Sequence, residues 1–134
     1  MTSAKEELTA IAADFALFSE WEERYAYVIE LGKSLPPFPE DKKTDETRVR
    51  GCVSAVWLAG ENKGGRVFFS ADSDAALVRG LLAVIVKIYG GRTSEEIKGV
   101  SPEEILGALG FDAYLTPGRQ NGFRAAVERV RALA

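Results

Sequence analysis

Apolar residues recur at helical spacing from the start of the chain: Leu8, Ile11, Ala12, Phe15 and Phe18 mark one face of an amphipathic helix. Ser19 followed by Glu22 has the form of a capping box. Trp21, Tyr25, Val28, Ile29 and Leu35 then mark the face of a second helix, of about 14 residues. Pro36, Pro37 and Pro39 end it, because proline has no N–H and restricts the residue before it. Residues 40 to 47 are charged, lack apolar periodicity and read as a solvated loop.

Beyond this loop the period changes. Residues 49 to 59 are rich in β-branched and aromatic side chains, as is the run Val67-Phe68-Phe69-Ser70, so both are strand candidates. The intervening Gly60-Glu61-Asn62-Lys63-Gly64-Gly65 suits a hairpin connection. Ala71-Asp72-Ser73-Asp74 offers N-cap oxygens to a helix over residues 75 to 89 that is apolar almost all round and is therefore expected in the core. Its length, and its interruption by Arg79 and Lys87, favour a buried helix over a membrane span. Gly90-Gly91 terminates it.

Thr93 with Glu96, and Ser101 with Pro102 and Glu104, start two shorter helices. A last helix runs over residues 117 to 133, with Phe123, Val127 and Val130 inside and Arg124, Arg129 and Arg131 outside. A short meander flanked by helices predicts an α+β fold, a small antiparallel sheet with helices packed on one face, over a parallel βαβ arrangement. With 134 residues, 46% of them hydrophobic, the chain is long enough for one sizeable core, so one domain over residues 1–134 is expected.

Charge adds an asymmetry. Residues 1–47 carry five basic and eleven acidic side chains, residues 48–134 twelve and nine, so the two parts suit different partners. Neither is basic enough, nor its arginines clustered enough, for nucleic-acid binding. No apolar run reaches the roughly 20 residues of a bilayer span. The start has no signal-peptide core and the ends no lipidation motif, so a soluble cytoplasmic protein without membrane attachment is expected.

There is no histidine and one cysteine, Cys52. A single thiol forms no intramolecular disulfide and assembles no structural zinc or iron–sulfur site, so neither metal nor cofactor is expected. Without imidazole, the Cys–His and Ser–His pairs of most hydrolases are excluded. Cys52 follows Gly51, where loop gives way to strand, and a tight bend there would present the thiol at a tip. A lone cysteine among Val and Trp is also what a small buried core residue looks like. Arg48 and Arg50 nearby favour the thiolate.

The segment Val49-Arg50-Gly51-Cys52-Val53-Ser54-Ala55-Val56-Trp57-Leu58 resembles the signature around the acceptor cysteine of the SufE family of cysteine-desulfuration proteins. Trp21-Glu22-Glu23-Arg24-Tyr25, Leu31-Gly32-Lys33-Ser34-Leu35-Pro36-Pro37, Ala71-Asp72-Ser73-Asp74-Ala75, Arg79-Gly80-Leu81, Tyr89-Gly90-Gly91-Arg92-Thr93 and Arg119-Gln120-Asn121-Gly122-Phe123 resemble further family blocks in the family's order, over about residues 20–130. Three positions depart from it: Ala55, Tyr114 and Gly118 stand where the family commonly has glutamine, histidine and serine.

The resemblance implies a SufE/IscU-like fold with a three-stranded antiparallel sheet. It implies that Cys52 accepts sulfur as a persulfide from a pyridoxal-phosphate cysteine desulfurase of the SufS or CsdA type, and activates that enzyme without being an enzyme itself. Sulfur would then pass towards iron–sulfur cluster assembly, with an iron–sulfur scaffold as downstream partner. Persulfides are easily oxidised or reduced, and Val53, Val56 and Trp57 are candidates to shelter one under a loop that swings out when the desulfurase docks.

Arg119 and Asn121, at the start of the last helix, read as cap and surface charge or as supports of the Cys52 loop. Asp72 and Asp74 read as N-caps first and docking residues second, and Trp21, Tyr25 and Trp57 as core or interface aromatics. The competing classes are a non-catalytic interaction module in which Cys52 is only a core residue, an iron–sulfur scaffold and a thiol hydrolase. The last two are disfavoured by the missing ligands and histidine.

Overall fold

The computed structural model describes residues 3–52 and 54–134. Helix α1 (Ala4–Phe15) begins earlier than the apolar pattern alone implied. Ser3 Oγ accepts the Glu6 N–H at 3.1 Å and Glu6 Oε1 accepts the Ser3 N–H at 3.2 Å, a reciprocal cap that fixes the start. In α2 (Trp21–Gly32) the cap stands one residue later than predicted: the Glu20 N–H donates to Glu23 Oε1 at 3.3 Å. The helix ends at Gly32, short of Leu35. Residues 33 to 35 are drawn into turns, where Ser34 Oγ donates to the Leu31 carbonyl at 2.6 Å.

The predicted strand over 49 to 59 begins only at Val56. Strand β1 (Val56–Lys63) pairs antiparallel with β2 (Arg66–Ser73) across a two-residue turn at Gly64 and Gly65, so β1 runs into the predicted connection and β2 extends beyond Ser70 to Ser73. Residues 47 to 49 do run beside β1: the Leu58 N–H donates to the Thr47 carbonyl at 2.9 Å and the Val49 N–H to the Val56 carbonyl at 2.8 Å. What lies between is a loop, because Gly51 takes φ +86° and turns the chain out of line with the strand.

Helix α3 (Ala76–Tyr89) returns across the sheet and leads into β3 (Arg92–Thr93), which pairs antiparallel with the start of β2. Helices α4 (Ser94–Lys98), α5 (Pro102–Leu109) and α6 (Pro117–Leu133) complete the described chain. Thr93 and Ser101 cap α4 and α5 as predicted, accepting the Glu96 and Glu104 N–H groups at 3.3 and 3.1 Å. Among the described residues no helix is long and apolar enough to cross a membrane.

The result is an α+β fold with sheet order β1-β2-β3. Alternation along the strands sends Val56, Leu58, Val67 and Ala71 to one buried face, covered by α3 and α6, and leaves Trp57 and Phe68 on the other. The all-round apolar character of α3 follows from its position, with the sheet and α6 on one side and α2 on another. The α2–α3 crossing is close enough that a Cβ on Gly80 would fall 2.0 Å from the Val28 carbonyl oxygen.

Candidate functional site

Among the described residues, Arg50, Gly51, Cys52, Ser54 and Ala55 lie in a loop closed at its base by the Val49–Val56 hydrogen bond. Its far end is fixed to the end of β2 through Ala55. Ser73 Oγ donates to the Ala55 carbonyl at 2.6 Å, the Asp74 N–H donates to the same oxygen at 3.3 Å, and the Ala55 N–H donates to Asp74 Oδ1 at 3.2 Å. The near end is held from α6, where the Arg129 guanidinium donates to the carbonyls of Glu46 and Arg48, the latter at 3.3 Å.

These contacts correct the reading of Asp72 and Asp74 as caps. The N-cap of α3 is Ala75, with no side-chain bond. Ser73 Oγ accepts the Ala75 N–H at 3.3 Å, which frees Asp74 to face the loop, while Asp72 pairs with Lys43 at 3.1 Å and Arg79 at 3.2 Å.

Gly51 and these anchors hang Cys52 over an apolar pocket. The thiol is half-buried and donates to the Gly122 carbonyl on α6 at 3.7 Å. Val78, Leu82 and Ile85 of α3, Val56 of β1 and Phe123 of α6 form the walls, and the free space is about 20 Å³, roughly one water-sized sphere. Burial pushes the Cys52 thiol above its ordinary pKa. The Arg48 guanidinium pulls it the other way, less strongly, so near neutral pH the seated sulfur is a protonated thiol.

The predicted shelter is therefore only partly composed as expected. Val56 lines the pocket. Trp57, the next residue along the strand, points to the opposite face, where Lys43 Nζ lies 4.8 Å and the Arg48 guanidinium carbon 5.7 Å from its ring centroid. Val53 lies outside the described residues. The α3 walls went unread in the sequence: a helix apolar on every side signals that every face is covered, but not which face meets the Cys52 loop.

Arg119 lines the pocket with Cys52 and Gly118. It does not cap α6: Thr116 does, its Oγ1 accepting the Arg119 N–H at 3.3 Å, ahead of Pro117. Asn121 is exposed and accepts from Arg124 Nη1 at 3.3 Å. Tyr114 is 58% exposed and stacks on Trp21 at 4.3 Å, in an aromatic cluster with Tyr25 and Phe111. Among the described residues, no three His, Cys, Asp or Glu side chains converge to hold a metal ion.

The architecture is shared with the solution structure of a hypothetical protein from Thermus thermophilus. The TM-score is 0.78 over 99% of this chain and 95% of that one, and at 23% identity the likeness concerns the fold. The chain's class is that of accessory sulfur-transfer proteins linked to iron–sulfur metabolism, since residues 9–134 match a family model described as an Fe-S metabolism associated domain.

That family is SufE, and the chain belongs to it. An uncharacterized SufE-like protein of Rhizobium meliloti (strain 1021) is 41% identical over 95% of this chain and 94% of its own length. One from Rhizobium etli is 42% identical over 92% of this chain and 86% of its own.

Proposed function

We propose that residues 1–134 act as one cytoplasmic sulfur-acceptor domain. In this reading Cys52 takes sulfur from the persulfide of a SufS- or CsdA-like cysteine desulfurase and passes it towards an iron–sulfur scaffold. The observation that carries the reading is the seat of Cys52: a thiol on a hydrogen-bonded loop, over an apolar pocket with room for about one further atom. In the transfer the Cys52 thiolate attacks the outer sulfur of the donor persulfide. The donor's S–S bond breaks, its cysteine leaves as a thiolate, and the outer sulfur with its hydrogen ends on Cys52. The described pocket walls offer no general base, and none is needed once Cys52 is ionised.

The seat also fits the second half of the task. Apolar walls keep water and small oxidants from the added sulfur, which favours a persulfide that survives until delivery. The alternative, a core cysteine in a non-catalytic interaction module, is favoured by the same burial. One experiment separates them: the protein is incubated with its cognate desulfurase and free cysteine, and its intact mass is read. One added sulfur, removed by reductant and missing from Cys52→Ser, is expected. No added mass on the wild type, or the same mass on Cys52→Ser, would sink the carrier reading.

A further inference from the structure

We infer that Gly122 is a positioning residue of this site: its missing side chain lets the Cys52 sulfur sit in close contact with α6, and each carbon added there pushes the sulfur further out of its seat. In its extension to the loaded form, the inference rests on the carrier reading. A Cβ built on Gly122 would stand 3.3 Å from Cys52 Sγ, tight enough that the sulfur must give by a few tenths of an ångström, and 3.5 Å from both Cα and Cβ of the same residue, which are ordinary contact distances.

The backbone does not call for glycine here. Gly122 lies inside α6 and is not among the glycines with positive φ, and a helix interior favours alanine. The contact with Cys52 is what a side chain would disturb. Of the other walls, Leu82 and Ile85 on α3 and Phe123 on α6 are at most 4% exposed and closely packed. The Cys52 loop, held through hydrogen bonds at its ends, is the part that yields. A persulfide is one atom longer than a thiol, so the loaded form depends on the same space more heavily.

The test uses Gly122→Ala and Gly122→Val in the full chain, with circular dichroism to verify folding. Gly107→Ala is the control, a helical glycine whose added Cβ meets nothing within 4 Å. Iodoacetamide alkylation of Cys52, followed by intact mass, is expected to run slightly faster in Gly122→Ala than in wild type, about three- to tenfold faster in Gly122→Val, and unchanged in Gly107→Ala.

In sulfur-loaded protein, cyanide removes the outer sulfur as thiocyanate and leaves the hydrogen on the Cys52 thiol. Per loaded sulfur, this is expected to be faster in both Gly122 variants. Equal alkylation rates in wild type and folded Gly122→Val overturn the inference. Faster alkylation with unchanged cyanolysis overturns its extension to the persulfide. A wild type that accepts no sulfur overturns the carrier reading alone, because the alkylation result stands without it.

Discussion

Ser73 offers the sharpest test of how the Cys52 loop is held. The residue is 5% exposed and its hydroxyl donates to the Ala55 carbonyl at 2.6 Å, at the point where the loop rejoins the sheet. In Ser73→Ala that bond is gone, although the Asp74 N–H still reaches the same oxygen at 3.3 Å. A neutral hydrogen bond of this kind contributes about 1 kcal/mol net, so a loop that breaks it on opening should open about fivefold more often.

The second bond of Ser73, from the Ala75 N–H, belongs to the start of α3. Losing it lowers global stability by about a further 1 kcal/mol without favouring loop opening. The two effects separate in the assay. Alkylation of Cys52 by iodoacetamide, below the thiol's titration range, reports opening, and denaturant unfolding of the same variant reports global stability. The expectation is a fivefold rise in alkylation with unfolding still far too rare to account for it. An unchanged alkylation rate in a folded Ser73→Ala protein would refute the assignment of this bond as a latch.

Gly80→Ala would place a Cβ 2.0 Å from the Val28 carbonyl oxygen, forcing α2 off α3; a loss of about 3 kcal/mol is expected in denaturant midpoints at constant m-value, and near wild-type stability would contradict the close crossing. Tyr114→Ala removes an exposed stack on Trp21, so it should cost about 0.5–1 kcal/mol and change tryptophan fluorescence while leaving Cys52 alkylation as it was. Because folding raises the Cys52 pKa, the native state holds the proton more tightly than the unfolded chain. This contribution to stability is complete below the ordinary thiol pKa and is lost as pH rises through the raised one. Urea midpoints should therefore fall across the alkaline range in wild type, and Cys52→Ala should lack that part of the slope.

Much of this architecture is legible in the sequence because local chemistry and tertiary position agree. Ser101, Pro102 and Glu104 start α5 as their types require, and Leu81, Leu82 and Val84 are as buried as their helix pattern implies. The failures fall where a tertiary contact outweighs local preference. Residues 49 to 55 have strand composition, yet pairing beside β1 stops at Val49: Gly51 turns the chain out of line, and Ser73 and Asp74 anchor Ala55 outside the strand. Asp72 and Asp74 have cap chemistry but are claimed by Lys43, Arg79 and the Ala55 N–H. Cys52 could be singled out from its neighbours and its resemblance, whereas the α3 side of its pocket could not, since nothing local to Val78 or Ile85 says which helix face meets the loop.

Protection and reactivity place opposite demands on Cys52. Seated against Gly122 the sulfur is shielded, but burial holds it as a thiol, and the thiol is a poor nucleophile compared with the thiolate. Leaving the pocket reverses both conditions together: water restores the ordinary pKa, and the sulfur comes within reach of a donor. On the carrier reading the loop latch at Ala55 therefore sets specificity as well as safety. A small oxidant meets mainly the seated, protonated form, whereas a desulfurase that binds the open loop more tightly than the closed one supplies the opening energy at the moment of transfer. A latch of a few hydrogen bonds suits that division, strong enough to keep the open form rare and weak enough for a docking surface to overcome.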